Sequence, residues 1–514
     1  MKDNNKDIKQ HIVHPFEPII DAHSRVLILG SLPSVKSREE GFYYGHPQNR
    51  FWRVISMICG CEVPSNISEK RELLVRNNIA LYDSIVECDI YGSSDASIEN
   101  AVPANIEAVI AGTDIGIIYC NGSTSYNIFK KYNSSINVPV VCLPSTSPAN
   151  ATWKLSALAC AWGRVGRYLK RMKHLGDSSF DKYYSLNSFI RDNYDMKLYK
   201  TPVDGGFTCP NRDGTKGIGG CIFCDNEGSG HFTGVLRPKT SYGDGGSGSR
   251  LSYEDKGSGS EIIEKDDSIN HNSNGIGDNS ITAQIARGKK LVASKMPANG
   301  RYGYIAYFQA YTSTYAPAER LRELYEEAIA DSEVKILSIA TRPDCLGKEV
   351  LELLHEIAAR IPVWVELGLQ TSNADSYVQI NRCYDNNVYL KAVTDLHKAG
   401  VEHVITHIIL GLPGESEKDM LESVRFACEA GTDGIKLQLL HVLKGTKLAD
   451  MYSNGEFEVL GLEEYTEIVR HSLQCIPPDV VVHRITGDGD KNKLIAPMWS
   501  ADKKRVLNYM NRNL

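Results

Sequence analysis

The apolar positions of this chain fall into two patterns separated by polar stretches. Before residue 175, short wholly apolar runs such as SRVLILG (24–30), GIIYCNG (116–122) and VPVVCL (138–143) alternate with segments of helical spacing. Those segments are FWRVISMI (51–58), EKRELLVRNNI (69–79) and KLSALACAWGRVGRYLKRMK (154–173). An apolar run ending in a Gly/Ser/Pro turn reads as a buried strand, and its alternation with helices predicts a layered α/β domain. From residue 302 the alternation becomes regular. Strands are expected at 303–309, 335–341, 363–369, 403–410, 434–440 and 480–485, with 196–204 as the first. Helices are expected at 317–330, 347–359, 387–399, 417–430 and 461–475. Short βα connections predict a parallel, right-handed barrel or partial barrel. Polar residues at its strand carboxyl ends would then face the site.

Polar stretches set the boundaries. Residues 1–10 form a polar tail, residues 11–175 a first domain and residues 176–514 a second. Inside the second, about 238–278 is dense in Gly, Ser and charge. It cannot bury enough apolar area to offset its ordering entropy, so a disordered insertion is expected there.

Composition adds limits. A chain of 514 residues with 42% hydrophobic content holds two or three domains with real cores. A net charge of −6 gives no bulk signal for nucleic acid, so any DNA-binding face must be local. Arg164, Arg167, Lys170, Arg171 and Lys173 end the last helix of the first domain, either as a solvated face or as a phosphate contact. No apolar run reaches membrane-spanning length and the N-terminus lacks a signal core, so a cytoplasmic protein is expected. Its 13 cysteines are then thiols and metal ligands rather than disulfides.

Chemistry concentrates in KTPVDGGFTCPNRDGTKGIGGCIFCDN (200–226). Cys209, Cys221 and Cys224 stand in a glycine-rich loop with the spacing C-x11-C-x2-C. Three thiolates can hold three irons of a four-iron cluster and leave the fourth open. A zinc knuckle completed by His231, or three unrelated thiols, are the other readings of the same spacing. The flanking motifs bear on that choice. They are YFQAYTSTYAP (307–317), ATRPDCL (340–346), VELGLQT (365–371), INRCY (380–384), HIILGLPGES (407–416), GIKLQLLHVLKGT (434–446) and HRITGDG (483–489). In this order they resemble the radical S-adenosylmethionine (radical SAM) proteins similar to YhcC. The resemblance implies a partial (βα)6 barrel, a [4Fe-4S] cluster on Cys209, Cys221 and Cys224, and S-adenosylmethionine chelating the open iron. It further implies cofactor contacts from Thr341, Arg342, Glu366, Gln370, His407 and Gly411, and an electron donor such as flavodoxin or ferredoxin. Lys436, Gln438 and His441 alternate along the next strand. A buried, unpaired Glu366 would be costly, which marks that residue on physical grounds as well.

In the first domain, GSLPS (30–34), YYGHPQNRFW (43–52) and LPSTSPAN (143–150) lie at strand ends. Together they resemble the hypoxanthine-DNA (deoxyinosine) glycosylase branch of the uracil-DNA glycosylase superfamily, a three-layer α/β fold. Ser31 and Leu32 stand where several members of that superfamily carry a water-activating Asp or Asn, which puts plain uracil-glycosylase activity in doubt. The resemblance makes Asn49 the main catalytic residue, with Ser147 beside it. Gly30, Ser31, Tyr44, His46, Phe51 and Ser145 are the expected contacts to a base taken out of the DNA stack. The leading expectation is a fusion of two activities, glycosylase and radical SAM enzyme, with no membrane partner. The radical substrate stays open, with nucleic acid among the candidates. Two alternatives stand beside it: a non-cleaving nucleic-acid-binding module joined to an RNA-modifying radical enzyme, and a non-catalytic iron–sulfur protein.

Overall fold

The computed structural model describes residues 9–92, 95–175, 182–225, 228, 233, 278–296, 300–487 and 489–514. The Gly/Ser-rich insertion and His231 lie outside these residues.

The first domain contains strands β1 (Lys9–Val13), β2 (Val26–Gly30), β3 (Ile79–Asp83), β4 (Ile85–Tyr91), β5 (Glu99–Pro103), β6 (Ile117–Asn121) and β7 (Val140–Leu143). Its helices are α1 (Val35–Glu40), α2 (Phe51–Cys59), α3 (Ile67–Arg76), α4 (Ile106–Ile110), α5 (Ser123–Tyr132) and α6 (Leu155–Leu175). A parallel sheet runs β3-β2-β6-β7. Strand β2 is buried throughout and feeds two cores. Val26 and Ile28 pack with Phe51, Trp52 and Trp162 on one face, while Leu27 and Leu29 pack with Ile106 and Phe129 on the other. The expected three-layer α/β domain results. A small antiparallel sheet, β1-β4-β5, accompanies it. Because β2, β6 and β7 run parallel side by side, the carboxyl ends of β2 and β7 bring the loops after Gly30 and Leu143 to one edge.

The second domain begins with α7 (Leu186–Tyr194) and β8 (Lys197–Val203). It continues through α8 (Ile281–Val292), β9 (Tyr302–Phe308), α9 (Ala318–Ile329), β10 (Val334–Thr341), α10 (Lys348–Ala358), β11 (Val363–Gln370), α11 (Ala374–Gln379), α12 (Asn386–Lys398) and β12 (His403–Leu410). After these come α13 (Glu417–Glu429), β13 (Gly434–Leu439), β14 (Val442–Leu443), α14 (Lys447–Ser453), α15 (Leu462–Cys475), β15 (Val481–Arg484), β16 (Leu494–Ala496) and α16 (Lys503–Asn513). Seven parallel strands form one sheet in the order β8-β9-β10-β11-β12-β13-β15. This is the expected partial barrel, six βα steps followed by a further strand. Alternate residues face outward helices, such as Val365 and Leu367, or the lumen, such as Trp364 and Glu366. Phe189 and Ile190 of α7 pack with Ile305, Ile336, Trp364, Ile405 and Val481, and this apolar plug closes the lower lumen.

The two domains meet through α6. Cys160, Arg164, Arg167 and Arg171 form one stripe on that helix. Arg164 Nε donates to Asp479 at 2.7 Å, and Tyr119 donates its hydroxyl to the same carboxylate at 3.0 Å. Arg167 donates to Asp433 at 2.6 Å, while the backbone N–H of Val404 and His397 Nε2 hold the other oxygen of Asp433. Arg171 donates to the carbonyl of Pro478. Three of the residues read as a phosphate-facing or solvated run are therefore engaged by the barrel. Their partners precede or begin β13 and β15, at the amino ends of the strands.

Candidate active sites

In the first domain Asn49 is fixed by its side-chain oxygen. That oxygen accepts from the backbone N–H of Phe51 and from the Thr146 hydroxyl, both at 3.0 Å. Thr146 is held in turn by both ends of the Asn121 carboxamide at 2.9 Å. These bonds leave the Asn49 amide as the presented end. Arg50, the next residue, donates to the carbonyls of Thr146, Ser147, Asn150 and Trp153, so it clamps the second loop against the first. Ser145 and Ser147 use their hydroxyls locally, accepting from the N–H groups of Ser147 and Ala149. The same local use holds for His46, whose Nδ1 accepts from Gln48 N–H.

Two expected base contacts sit differently from expectation. Phe51 is fully buried beneath Tyr44, with ring centroids 3.9 Å apart, so it supports the tyrosine instead of meeting a base. Ser31 donates to Asp95 at 3.0 Å. Gly30 has a plain steric cause: a Cβ there would stand 2.1 Å from Asp83 Oδ1 and 2.9 Å from the Tyr44 hydroxyl. The Tyr44 hydroxyl is buried and has no hydrogen-bond partner among the described residues. Asp83, buried at the end of β3 and bonded to His14 Nε2 at 2.9 Å, was not singled out in the sequence. Its signal was available, as the one charged residue ending the apolar run IALYD. The site thus gathers Gly30, Tyr44, Asn49, Thr146 and Asp83 at one sheet edge.

In the barrel, the cysteine loop follows β8 and folds into a small hairpin, with Asp213 bridged to Ile218. Gly206, Gly214, Gly219 and Gly220 take positive φ, which the tight path requires. INRCY staples this loop to the barrel. Asn381 donates to the carbonyls of Gly220 and Ile218, and its own carbonyl accepts from Asn211. Arg382 is fully buried and donates to the carbonyls of Leu369, Thr371 and Tyr384. Its guanidinium lies between the rings of Tyr377 and Tyr384, 4.3 and 4.5 Å away. The three thiols lie within electrostatic reach of one another. Burial first, and then the neighbouring thiol of Cys224, pushes Cys221 up to about 12. The cations of Arg212 and Arg342 act in the opposite sense on Cys224 and Cys221. Among the described residues, no three His, Cys, Asp or Glu side chains close on a single-ion site. The donor set is all thiol and faces guanidinium groups, which fits a cluster whose thiolates carry negative charge.

Of the expected cofactor contacts, Gln370 ends β11 at φ 66° with a buried side-chain oxygen that has no hydrogen-bond partner among the described residues, a polar atom suited to a bound group. Gly411 turns the chain at φ 92° against Leu460. Thr341 is a correction: it alternates with Leu337 and Ile339 on the helix-facing side of β10 and bonds Thr314. Arg342 is held by Asp344 through two bonds of 2.9 Å and by the Arg382 carbonyl through a third, with its charge acting on Cys221. It braces the rim.

Glu366 is 1% exposed and far from unpaired. It accepts from Lys200 at 2.9 Å, from Tyr307 at 2.7 Å, from His407 Nε2 at 2.8 Å and from Lys436. Burial disfavours its charge, but the ammonium groups of Lys200 and Lys436 outweigh that and hold the carboxyl well below the usual range. Burial, reinforced by Lys436, pushes His407 down to about 4, so it is neutral near pH 7. Its Nδ1 meets Gln438 at 3.1 Å. Among the described residues, no helix is long and apolar enough to cross a membrane.

Comparison with known proteins agrees with this geometry. The profile of the Radical SAM superfamily matches residues 286–427, that of the Radical_SAM C-terminal domain residues 432–514, and that of the Uracil DNA glycosylase superfamily residues 17–164. The chain is therefore a radical SAM protein carrying a uracil-DNA-glycosylase-superfamily domain, and it belongs to the family of YtqA and YhcC. It is 40% identical over 333 residues to the uncharacterized protein YtqA of Bacillus subtilis, which covers 65% of this chain and 89% of that protein. It is 34% identical to the protein YhcC of Escherichia coli over 62% of this chain and 88% of that one. Its first domain is 41% identical over 86 residues to a hypoxanthine DNA glycosylase of Methanosarcina barkeri, 16% of this chain and 54% of that enzyme. Membership of the radical SAM family brings a [4Fe-4S] cluster and S-adenosylmethionine as cofactors.

Proposed function

We propose that this protein is a two-activity enzyme: a DNA glycosylase releasing deaminated bases, hypoxanthine first, joined to a radical SAM enzyme. The observation that carries the radical half is the trio of thiols in the loop after β8, within electrostatic reach of one another and of two guanidinium groups. In this reading Cys209, Cys221 and Cys224 hold the cluster. Asn211, whose amide lies 3.6 Å from Cys221 Sγ, and Arg212 temper its charge. A cluster held there would supply one-electron reductive chemistry toward bound S-adenosylmethionine, with the electron drawn from an external reductant and methionine released. Gln370 and Gly411 line the cofactor's side, and Glu366 with His407 fixes the polar layer below it. In the glycosylase half, Asn49 presents its amide to the departing base, where neutral donors stabilise developing negative charge. Tyr44, backed by Phe51, offers the stacking ring, and Gly30 keeps space open before Asp83.

Each half has its own test. Anaerobic protein reconstituted with iron and sulfide, given reductant and S-adenosylmethionine, is expected to yield 5′-deoxyadenosine, and Cys221→Ala to yield none. A clean cluster spectrum without that product would sink the radical activity. Hypoxanthine release from a deoxyinosine oligonucleotide is expected to fall about 10²–10³-fold in Asn49→Ala, the usual loss for one such donor. No release by the unmodified protein would turn the first domain into a binding module.

A further inference from the structure

The chain beyond β13 reaches back to the cysteine loop. Strands β14 and β16 pair, and with α14 they build an apolar cluster that takes in Ile222, the residue after Cys221. Ile222 is buried. Its N–H donates to the Ile380 carbonyl at 3.2 Å, and its own carbonyl accepts from Leu448 N–H at 3.0 Å. The loop is thus held by INRCY on one side and by the C-terminal segment on the other. A second contact from that segment is ionic. Lys493 Nζ donates to Asp225 Oδ2 at 3.0 Å. Asp225 directly follows Cys224 and is 5% exposed. The Lys493 backbone is fixed on both sides, its N–H donating to the Asp490 carbonyl at 3.0 Å and its carbonyl accepting from Lys444 N–H at 2.8 Å.

We infer that Lys493 is a positioning residue of the cysteine loop: it fastens Asp225 and cancels that charge beside Cys224, and so sets the potential at which a cluster on the three thiols accepts an electron. The inference rests on the cluster reading above. Geometry and charge carry it together. Asp225 acts electrostatically on the Cys224 thiol, in the sense opposite to Arg212. The Arg212 guanidinium donates to the Cys224 carbonyl at 2.9 Å and to the Asp225 carbonyl. One fixed anion and one fixed cation therefore stand beside the same thiol, and Lys493 decides their sum. With the lysine in place the carboxylate is matched and the guanidinium charge remains. Without it the carboxylate faces Cys224 uncompensated, and stranding a buried charge is costly. Net charge around an iron–sulfur cluster tunes its potential. Added negative charge disfavours reduction, so Lys493 makes the cluster easier to reduce. The electron comes from an external reductant, and no bond forms or breaks in that step.

The test is an anaerobic redox titration of the reconstituted full-length protein, followed by the electron paramagnetic resonance signal of the reduced cluster, with iron and sulfide measured per chain. Lys493→Gln is expected to shift the potential down and Asp225→Asn to shift it up, while Lys493→Arg keeps the original value. Opposite shifts are the signature of charge, because a purely structural brace would cost iron in both variants without setting a direction. Unmoved potentials, or shifts of one sign in both variants, overturn the inference and leave the cluster reading standing. Should one variant hold too little cluster to titrate, the sign of the other decides. If the unmodified protein assembles no four-iron cluster, the cluster reading falls and the inference falls with it.

Discussion

His403 shows how a single residue sets a response of the fold. It is fully buried at the start of β12, 2.8 Å from His483 and stacked on Phe189. Burial is the main cause that pushes it down from 6.5 to about 3. In the unfolded chain the same imidazole protonates near 6.5. Between these values the unfolded state binds more protons, so stability falls as pH drops from about 6.5 toward 3. We expect a loss of a few kcal/mol across that window, read as a falling urea midpoint. His403→Gln should flatten the slope, and an unchanged slope would show that other groups govern it. At this scale the sequence was uneven. Asn49 and the three cysteines were legible because their motifs are local. Asp83 carries a local signal, a charge ending an apolar run, but Asn121 carries none, because what marks it is proximity across parallel strands. Thr341 was misplaced because a polar residue ending a strand does not declare which face it occupies.

Elements were easier to read than the joints between them. The barrel strands announce themselves as apolar runs, and the α/β order of both domains follows from that. Strand β1 escaped because KQHIV alternates exposed and half-buried positions and begins within a polar tail. Helix α7 escaped because its burial comes from plugging a barrel, which a nine-residue segment cannot signal alone. The INRCY turn was seen as a motif without a mechanism, and the structure supplies one. Arg382 ties the end of β11, at Leu369 and Thr371, to the turn whose Asn381 holds the cysteine loop. Removing it leaves buried carbonyls unsatisfied, at about 1–3 kcal/mol each. Arg382→Met should therefore lower the melting temperature and the iron taken up on reconstitution. Arg382→Lys should fail to rescue iron uptake, since one ammonium cannot reproduce a planar fork. Full rescue by lysine would mean that only the charge matters.

The domain junction governs the whole molecule. Contacts from α6 reach Val401, Asp433, Pro478 and Asp479, all at the amino ends of barrel strands, whereas the cysteine loop lies at the carboxyl ends. The glycosylase-like domain thus docks against the amino ends of the barrel strands, the end opposite the cysteine loop. The junction is built from buried ion pairs, which specify an orientation more than they stabilise it. Arg164 is 2% exposed, and without it the fully buried Asp479 would keep only Tyr119. Breaking one side of such a pair costs about 3–5 kcal/mol. Arg164→Met should therefore uncouple the domains, turning one calorimetric transition into two, with the barrel melting first because the stranded carboxylate lies on its floor. Joint replacement, Arg164→Met with Asp479→Leu, should restore a single transition, because an apolar pair of similar volume removes the unpaired charge. If the single variant still melts in one transition at the original temperature, the ion pairs do not join the domains, and the apolar surface of α6 does.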